Sequence, residues 1–301
     1  MINNKHLIGT LGNNEAKKLI VVGGMHGNEK SGVEAILETL DFFAQHPEIK
    51  LNGKIYFLQG NIGALKKGER FIDKDLNRLW HEDYIQNEHP DIADVKEVKE
   101  LHKLISEDIC QHNYSNCTLL DLHTFSAKTG AFCIPAENKQ SVALAQTFKT
   151  PFVEKLVGSL PETALNYFGN KGMTAVVFEG GTHASDEART NLKSSIFHTI
   201  AYLDLVNRED FDIVFEMRKE LYEISKNLPH YLRLTYIHKL NKYNNYQTKP
   251  GYFNFKKINK GEVIATQDGK QITSPSEGYI LMPLYQKKGS DGFFIVQEFE
   301  L

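Results

Sequence analysis

Three short groups of residues in this chain are of types that can do chemistry. His26 and Glu29 stand three apart in Gly23-Gly24-Met25-His26-Gly27-Asn28-Glu29. Asp121-Leu122-His123 follows an apolar run, and Glu179 sits between another such run and Gly180-Gly181. A tight turn entering a helix can aim His26 and Glu29 at one point. His, Glu and a later His form a known catalytic zinc set that leaves a fourth position for water. Zinc brings the pKa of that water to about 7. A carboxylate that is not a ligand must then take and deliver the proton, and Glu179 is the natural candidate. Alone, a His-x-x-Glu pair is a weak signal, and a His at a strand end is commonly a hydrogen-bonded structural group. Beyond these groups His183, four residues after Glu179, is the one rival ligand worth keeping, against a plain loop role.

The glycine-rich turn has a second reading as a phosphate loop, which its residues oppose. Glu29 rather than glycine precedes Lys30-Ser31, a fixed carboxylate there repels phosphate, and no Gly-x-Gly-x-x-Gly is present. The polar run from Asn61 to Arg78 reads either as a solvated charged loop or as an anion site. In the second case Arg78 grips a carboxylate through two hydrogen bonds and Asn77 adds a neutral donor.

These groups need elements that bring them together. Leu19–Val22, Ile55–Leu58, Thr118–Leu120, Ala131–Ile134 and Ala175–Phe178 read as strands. Between them, Ser31–Phe43, a segment capped by Asp91 with apolar positions from Ile92 to Ile105, Val142–Phe148 and Glu187–Asn207 read as helices. This alternation predicts an α/β sandwich with a mostly parallel or mixed sheet between helices. The three chemical groups then follow strand ends, where open parallel sheets bind ligands.

After about Asp210 the pattern changes. A connecting helix is expected over 211–227. Short β-rich runs follow at Tyr231–Ile237, Tyr252–Phe255, Val263–Ala265, Tyr279–Leu281 and Phe293–Val296, with Asn241–Lys249 as a loop. The expected division is an α/β hydrolase domain over 1–210, the connecting helix, and a small β-rich domain over 228–301.

Composition limits the partners. The 301 residues hold 35 Lys+Arg against 38 Asp+Glu, a net charge of −3, so there is no basic excess for nucleic acid. No apolar run approaches the roughly 20 residues of a membrane helix, and no secretory signal is visible. The three cysteines, Cys110, Cys117 and Cys133, show no Cys-x-x-Cys spacing and read as free thiols in a reducing cytoplasm. A homo-oligomer stays open.

Taken in order, His26-Gly-Asn-Glu29, Arg70 followed by Asp75-Leu-Asn77-Arg78, Asp121-Leu-His123 and Glu179 resemble the succinylglutamate desuccinylase/aspartoacylase family, within the zinc carboxypeptidase-like superfamily. The motifs run over residues 19–181, and the β-rich tail fits the family's two-part layout. The resemblance implies one Zn²⁺ per chain held by His26, Glu29 and His123. It implies Glu179 as general base and Arg70 as the group that polarises the scissile carbonyl and steadies the oxyanion. Asn77 and Arg78 become the clamp on the substrate α-carboxylate, Asp121 a support for the ligand shell or plain strand-end solvation, and Tyr285 the best match to a tyrosine placed over the pocket. The chain departs from the family in having Asn61-Ile62 where Asn-Pro is usual. It also lacks any arginine between Pro135 and Ala175, where aspartoacylase-type members place one with a tyrosine to hold a side-chain carboxylate; Lys139, Lys149, Lys155, Lys171 and Tyr167 are present instead.

The expected activity is therefore a zinc amidohydrolase that releases an amino acid from an N-acyl amino acid of the N-succinylglutamate or N-acetylaspartate type. The alternatives are a zinc carboxypeptidase and a non-catalytic metal-binding ligand or assembly protein.

Overall fold

The computed structural model describes residues 2, 4–156, 158–207, 212, 221, 223–240 and 245–300. Fourteen strands are present among them: β1 (Leu7–Leu11), β2 (Lys18–Gly23), β3 (Lys54–Gln59), β4 (Cys117–Phe125), β5 (Phe132–Pro135), β6 (Phe152–Glu154), β7 (Thr174–Thr182), β8 (Tyr231–Lys239), β9 (Tyr246–Thr248), β10 (Lys257–Ile258), β11 (Val263–Gln267), β12 (Lys270–Thr273), β13 (Gly278–Leu281) and β14 (Asp291–Glu298). The helices are α1 (Ser31–Gln45), α2 (Ile62–Lys67), α3 (Glu82–Gln86), α4 (Ala93–Lys103), α5 (Lys139–Thr147), α6 (Ala164–Asn170) and α7 (Asp186–Tyr202). The expected α/β class holds. A mixed sheet of eleven strands runs β1-β3-β2-β4-β7-β5-β6-β8-β14-β13-β10, and β12-β11-β9 form a smaller antiparallel sheet.

Strands β3, β2, β4 and β7 are parallel neighbours at the centre. They read as nearly continuous apolar runs because both of their faces are covered. Leu19, Val21, Leu120, Leu122, Val176 and Phe178 pack on one face with residues of α1 and α7. Ile20, Val22, Leu119, Ala175 and Val177 pack on the other with residues of α4 and α6. Side chains alternate with period two. On that second face Asp121 and His123 therefore continue from Leu119, and Glu179 continues from Ala175 and Val177.

Several element boundaries differ from expectation. Helix α4 starts at Ala93, not behind an Asp91 cap, because the Asp73 carboxylate accepts from Ala93 N at 2.8 Å. Its expected continuation through Ile105 widens into a π-helical turn over Leu104–Ile109. Helix α7 ends at Tyr202, before Asn207, where Asp204 adopts a positive φ of 52°. Tyr252–Phe255 is not a strand, since Phe255 turns into the left-handed region at φ 65°. Part of the expected Asn241–Lys249 loop is strand, because Tyr246–Thr248 pairs with β11; residues 241–244 lie outside the described residues. The connecting helix expected over 211–227 falls largely outside them as well.

The sheet continues into segment 228–301. Strand β8 pairs in parallel with β6, Phe152 opposite Tyr231, and then with β14. Leu232, Phe255, Leu281, Phe294 and Val296 share one apolar core with α4, α6 and the central strands. Replacing Leu232, which is fully buried, by alanine is expected to cost about 2–5 kcal/mol. Chemical unfolding followed by Trp80 fluorescence and by far-UV circular dichroism should give coincident transitions that both move to lower denaturant in Leu232→Ala. Two separate transitions, with Trp80 insensitive to the substitution, would contradict a shared core.

Candidate active site

Strand β2 delivers the chain into Gly24, whose φ of 73° suits glycine, and Gly27 then lies so close to the Ala64 backbone that no side chain fits. This turn fixes His26 and Glu29 ahead of α1. His26 Nδ1 is 2.8 Å from Glu29 Oε1, and His123 Nδ1 is 3.2 Å from Glu29 Oε2. Donor atoms of His26, Glu29 and His123 all lie within 4.8 Å of one another, and all three residues are buried. Their rings meet edge to face at 5.1 Å. Glu179 is the register partner of His123 on the adjoining strand β7.

Each histidine is braced from behind. His26 Nε2 is 3.0 Å from Asp75 Oδ1, and His123 Nε2 is 3.0 Å from Asp121 Oδ2. At His26 the contact is a hydrogen bond, and a carboxylate so placed on one ring nitrogen fixes the tautomer and turns the other nitrogen's lone pair inward. At His123 the fully buried Asp121 carboxylate lies within ion-pair distance of the ring without an aligned hydrogen bond. Thr124 N donates to Glu29 Oε2 at 2.9 Å. His183, the rival ligand, is not part of this donor cluster; its Nδ1 lies 2.7 Å from Thr124 Oγ1.

The chemistry of this donor set fits a divalent cation. Two imidazole nitrogens and a carboxylate converge, and four carboxylates (Glu29, Asp75, Asp121 and Glu179) are buried around them, of which Glu29 and Asp75 pair with Arg70. Burial acts to lift the pKa of Glu29 and Asp75. The facing His26, joined by His123 at Glu29 and Arg70 at Asp75, instead holds both well below the ordinary carboxylate range. Glu179 goes the other way. Burial pushes it up to about 8; His123 and Arg70 oppose the rise while Glu29 and Asp121 add to it. Its buried Oε2 makes no hydrogen bond to any described residue.

Arg70 is set by Asp75, whose Oδ2 takes its Nη2 at 3.1 Å and its Nε at 3.3 Å, and by Glu29 Oε1 at 3.3 Å from Nη1. The loop carrying Arg70 and Asp75 is organised in turn by Asp94 of α4. This buried carboxylate accepts from Ile72 N, Asp73 N and Lys74 N at 3.2, 2.8 and 2.9 Å, and from the Asn61 amide. Asn77 and Arg78 line the same cleft. Asn77 Oδ1 accepts from Ala164 N at 3.0 Å, which fixes its amide. Arg78 donates to Asn77 O at 2.9 Å and to Asp291 Oδ2 at 3.0 Å.

The segment between β13 and β14 closes the cleft. Gln286 Oε1 accepts from Asn28 Nδ2 at 2.9 Å, and Tyr285 N donates to Ser126 Oγ at 3.1 Å. Tyr285 itself is not brought to the site. Its side chain is exposed and its hydroxyl donates to the carbonyls of Lys249 and Tyr252, because Leu284 and Gln286, its neighbours, are the ones turned inward. The sequence reading thus missed Asp94, Thr124, Gln286 and Asp291. Asp75 stood inside the Asp75-Leu-Asn77-Arg78 run, and that run was the available signal for it. Nothing local marks the other four.

The sequence profile of the succinylglutamate desuccinylase/aspartoacylase catalytic domain matches residues 15–187. The chain belongs to this family. Its members are hydrolase-type deacylases. Among relatives, the chain is 26% identical over 205 residues to a probable aspartoacylase of Nostoc sp., covering 65% of this chain and 67% of that protein. It is 41% identical over 63 residues to a succinylglutamate desuccinylase of Pseudomonas putida, covering 21% of this chain and only 18% of that one. A succinylglutamate desuccinylase structure from Vibrio cholerae superposes with a TM-score of 0.65 at 18% identity, over 95% of this chain and 82% of that one, which shows a shared fold.

Asp94→Ala removes the acceptor for three backbone N–H groups. It is expected to lower stability by about 3 kcal/mol and to loosen Arg70 and His26 together. Thermal unfolding and metal affinity should both fall. Unchanged metal affinity in a folded Asp94→Ala protein would disconnect Asp94 from the site.

Proposed function

We propose that this protein is a zinc-dependent amidohydrolase that cleaves an N-acyl amino acid into a carboxylate and a free amino acid. The observation that carries the reading is the convergence of His26, Glu29 and His123 on one point, with Glu179 beside His123 on the next strand. His26 and His123 would hold one Zn²⁺ through their Nδ1 atoms, and Glu29 through its carboxylate. When bound, zinc supplies Lewis acidity, polarising a carbonyl and lowering the pKa of water to about 7. Glu179 takes the proton of the attacking water and returns it to the leaving nitrogen. Arg70, held by Asp75 and Glu29, is a preorganised positive charge for the oxyanion. Arg78 and the amide of Asn77 receive the α-carboxylate, with Asp291 holding the guanidinium in place beforehand. The 228–301 segment acts as a cap, supplying Gln286 and Asp291.

No helix is long and apolar enough to cross a membrane among the described residues. The three cysteines are buried and free, which supports the cytoplasm as the site of action. A closed cleft of this kind suits a small substrate better than the end of a peptide.

The purified protein is expected to carry about one zinc per chain, or to recover activity when zinc is added after chelation. Glu179→Ala should keep the metal and lose roughly 10²–10⁴-fold in kcat; retained turnover would place the base elsewhere. Arg78→Ala should act mainly on KM for substrates with a free α-carboxylate, raising it by roughly tenfold or more. An unchanged KM would remove Arg78 from the clamp.

A further inference from the structure

The cleft beyond the metal ligands is walled by apolar side chains. Phe125 follows His123 on the same face of β4, and Val177 precedes Glu179 on the same face of β7. Ile134 of β5 is the register partner of Val177. Leu156 and Leu160, from the stretch between β6 and α6, and Leu165 of α6 line the cleft as well. All six are 3–8% exposed and line the cleft, whereas Phe132, in the same core, is at 0%.

The arginines of this cleft are already engaged. Arg70 faces Glu29 and Asp75, and Arg78 faces Asp291, whose other oxygen is held by Lys239 Nζ at 2.7 Å from outside the lining. Arg70 and Arg78 are the two cationic residues among the described lining residues, and no lysine lines the cleft. Lys139, Lys155 and Lys171, the nearest cations that the sequence offers between Pro135 and Ala175, lie elsewhere. Lys139 and Lys155 border a different depression, and Lys171 pairs with Glu82. A substrate bearing a single carboxylate can take Arg78. A second carboxylate would meet the apolar wall, with no lysine and no third arginine among the described lining residues, which strongly disfavours a charged group.

We infer that this enzyme selects N-acyl amino acids that carry one carboxylate and an apolar arm, and rejects the dicarboxylate substrates typified by N-acetylaspartate and N-succinylglutamate. The inference rests on the deacylase reading above and narrows its substrate. The apolar arm is either the amino-acid side chain or the acyl chain, since both leave the scissile amide.

The test is kcat/KM for the zinc-loaded protein on a matched panel, with binding of each compound followed by calorimetry. N-acetyl-leucine and N-acetyl-phenylalanine place the apolar arm on the amino acid. N-hexanoyl-glycine places it on the acyl group. N-acetylaspartate and N-succinylglutamate are the dicarboxylates. The best apolar compound is expected to exceed both dicarboxylates by about 100-fold in kcat/KM and to bind more tightly, and the better of the two apolar arms identifies which group the wall receives. A margin below about tenfold, or a preference for either dicarboxylate, would overturn the inference and leave the deacylase reading standing. Failure to hydrolyse or bind any of the five would overturn both.

Discussion

Asp75 is the residue on which the site depends most. One of its oxygens steadies the ring of His26 and the other holds Arg70. A buried carboxylate of this kind is tolerated only if it is fully partnered, and Asp75 meets that condition with groups that the chemistry needs in place. His26, the proposed ligand histidine, and Arg70, the proposed oxyanion partner, are therefore fixed relative to each other by a single side chain. Asp94, behind the loop, fixes Asp75 in turn. Substrate groups meet an electrostatic arrangement that is already set, so little reorganisation is left for the reaction itself.

The central sheet provides the second half of the positioning. His123 and Glu179 are register partners on adjacent parallel strands, and that register is enforced by the apolar residues below them, which must stay on their own faces. A slip of one residue would send Asp121, His123 and Glu179 into the opposite core. His123, Asp121 and Glu179 are thus aligned by the same burial that stabilises the central sheet.

The α/β class and the central strands were legible because each signal is local. Apolar runs end in glycine or in a polar group, and His26, Glu29, His123 and Glu179 follow those ends; Asn77 and Arg78 lie instead in a polar run that also reads as a solvated loop, and Arg70 was marked only by the family resemblance. What escaped depends on contacts between distant segments. Asp73 caps α4 from about twenty residues away, so the local Asp91 was misleading. The polar residues around Asp94 look like any solvated helix start until the loop above it donates three N–H groups. Tyr285 sits one residue from Gln286, and alternation along an irregular segment cannot be counted from sequence. Which of the two faces inward was decided by hydrogen bonds from Asn28 and to the carbonyls of Lys249 and Tyr252.

The cleft is closed by contacts that join opposite ends of the sequence: Asn28 to Gln286, Glu69 to Lys288 and Arg78 to Asp291. A ribosome makes the turn carrying His26 and Glu29 first and the segment that shuts the cleft more than 250 residues later. Because Leu232, Phe294 and Val296 belong to the same apolar core as the central strands, the earlier elements leave the ribosome with that core unfinished, and the cleft takes its final form only once the last strands have joined the sheet.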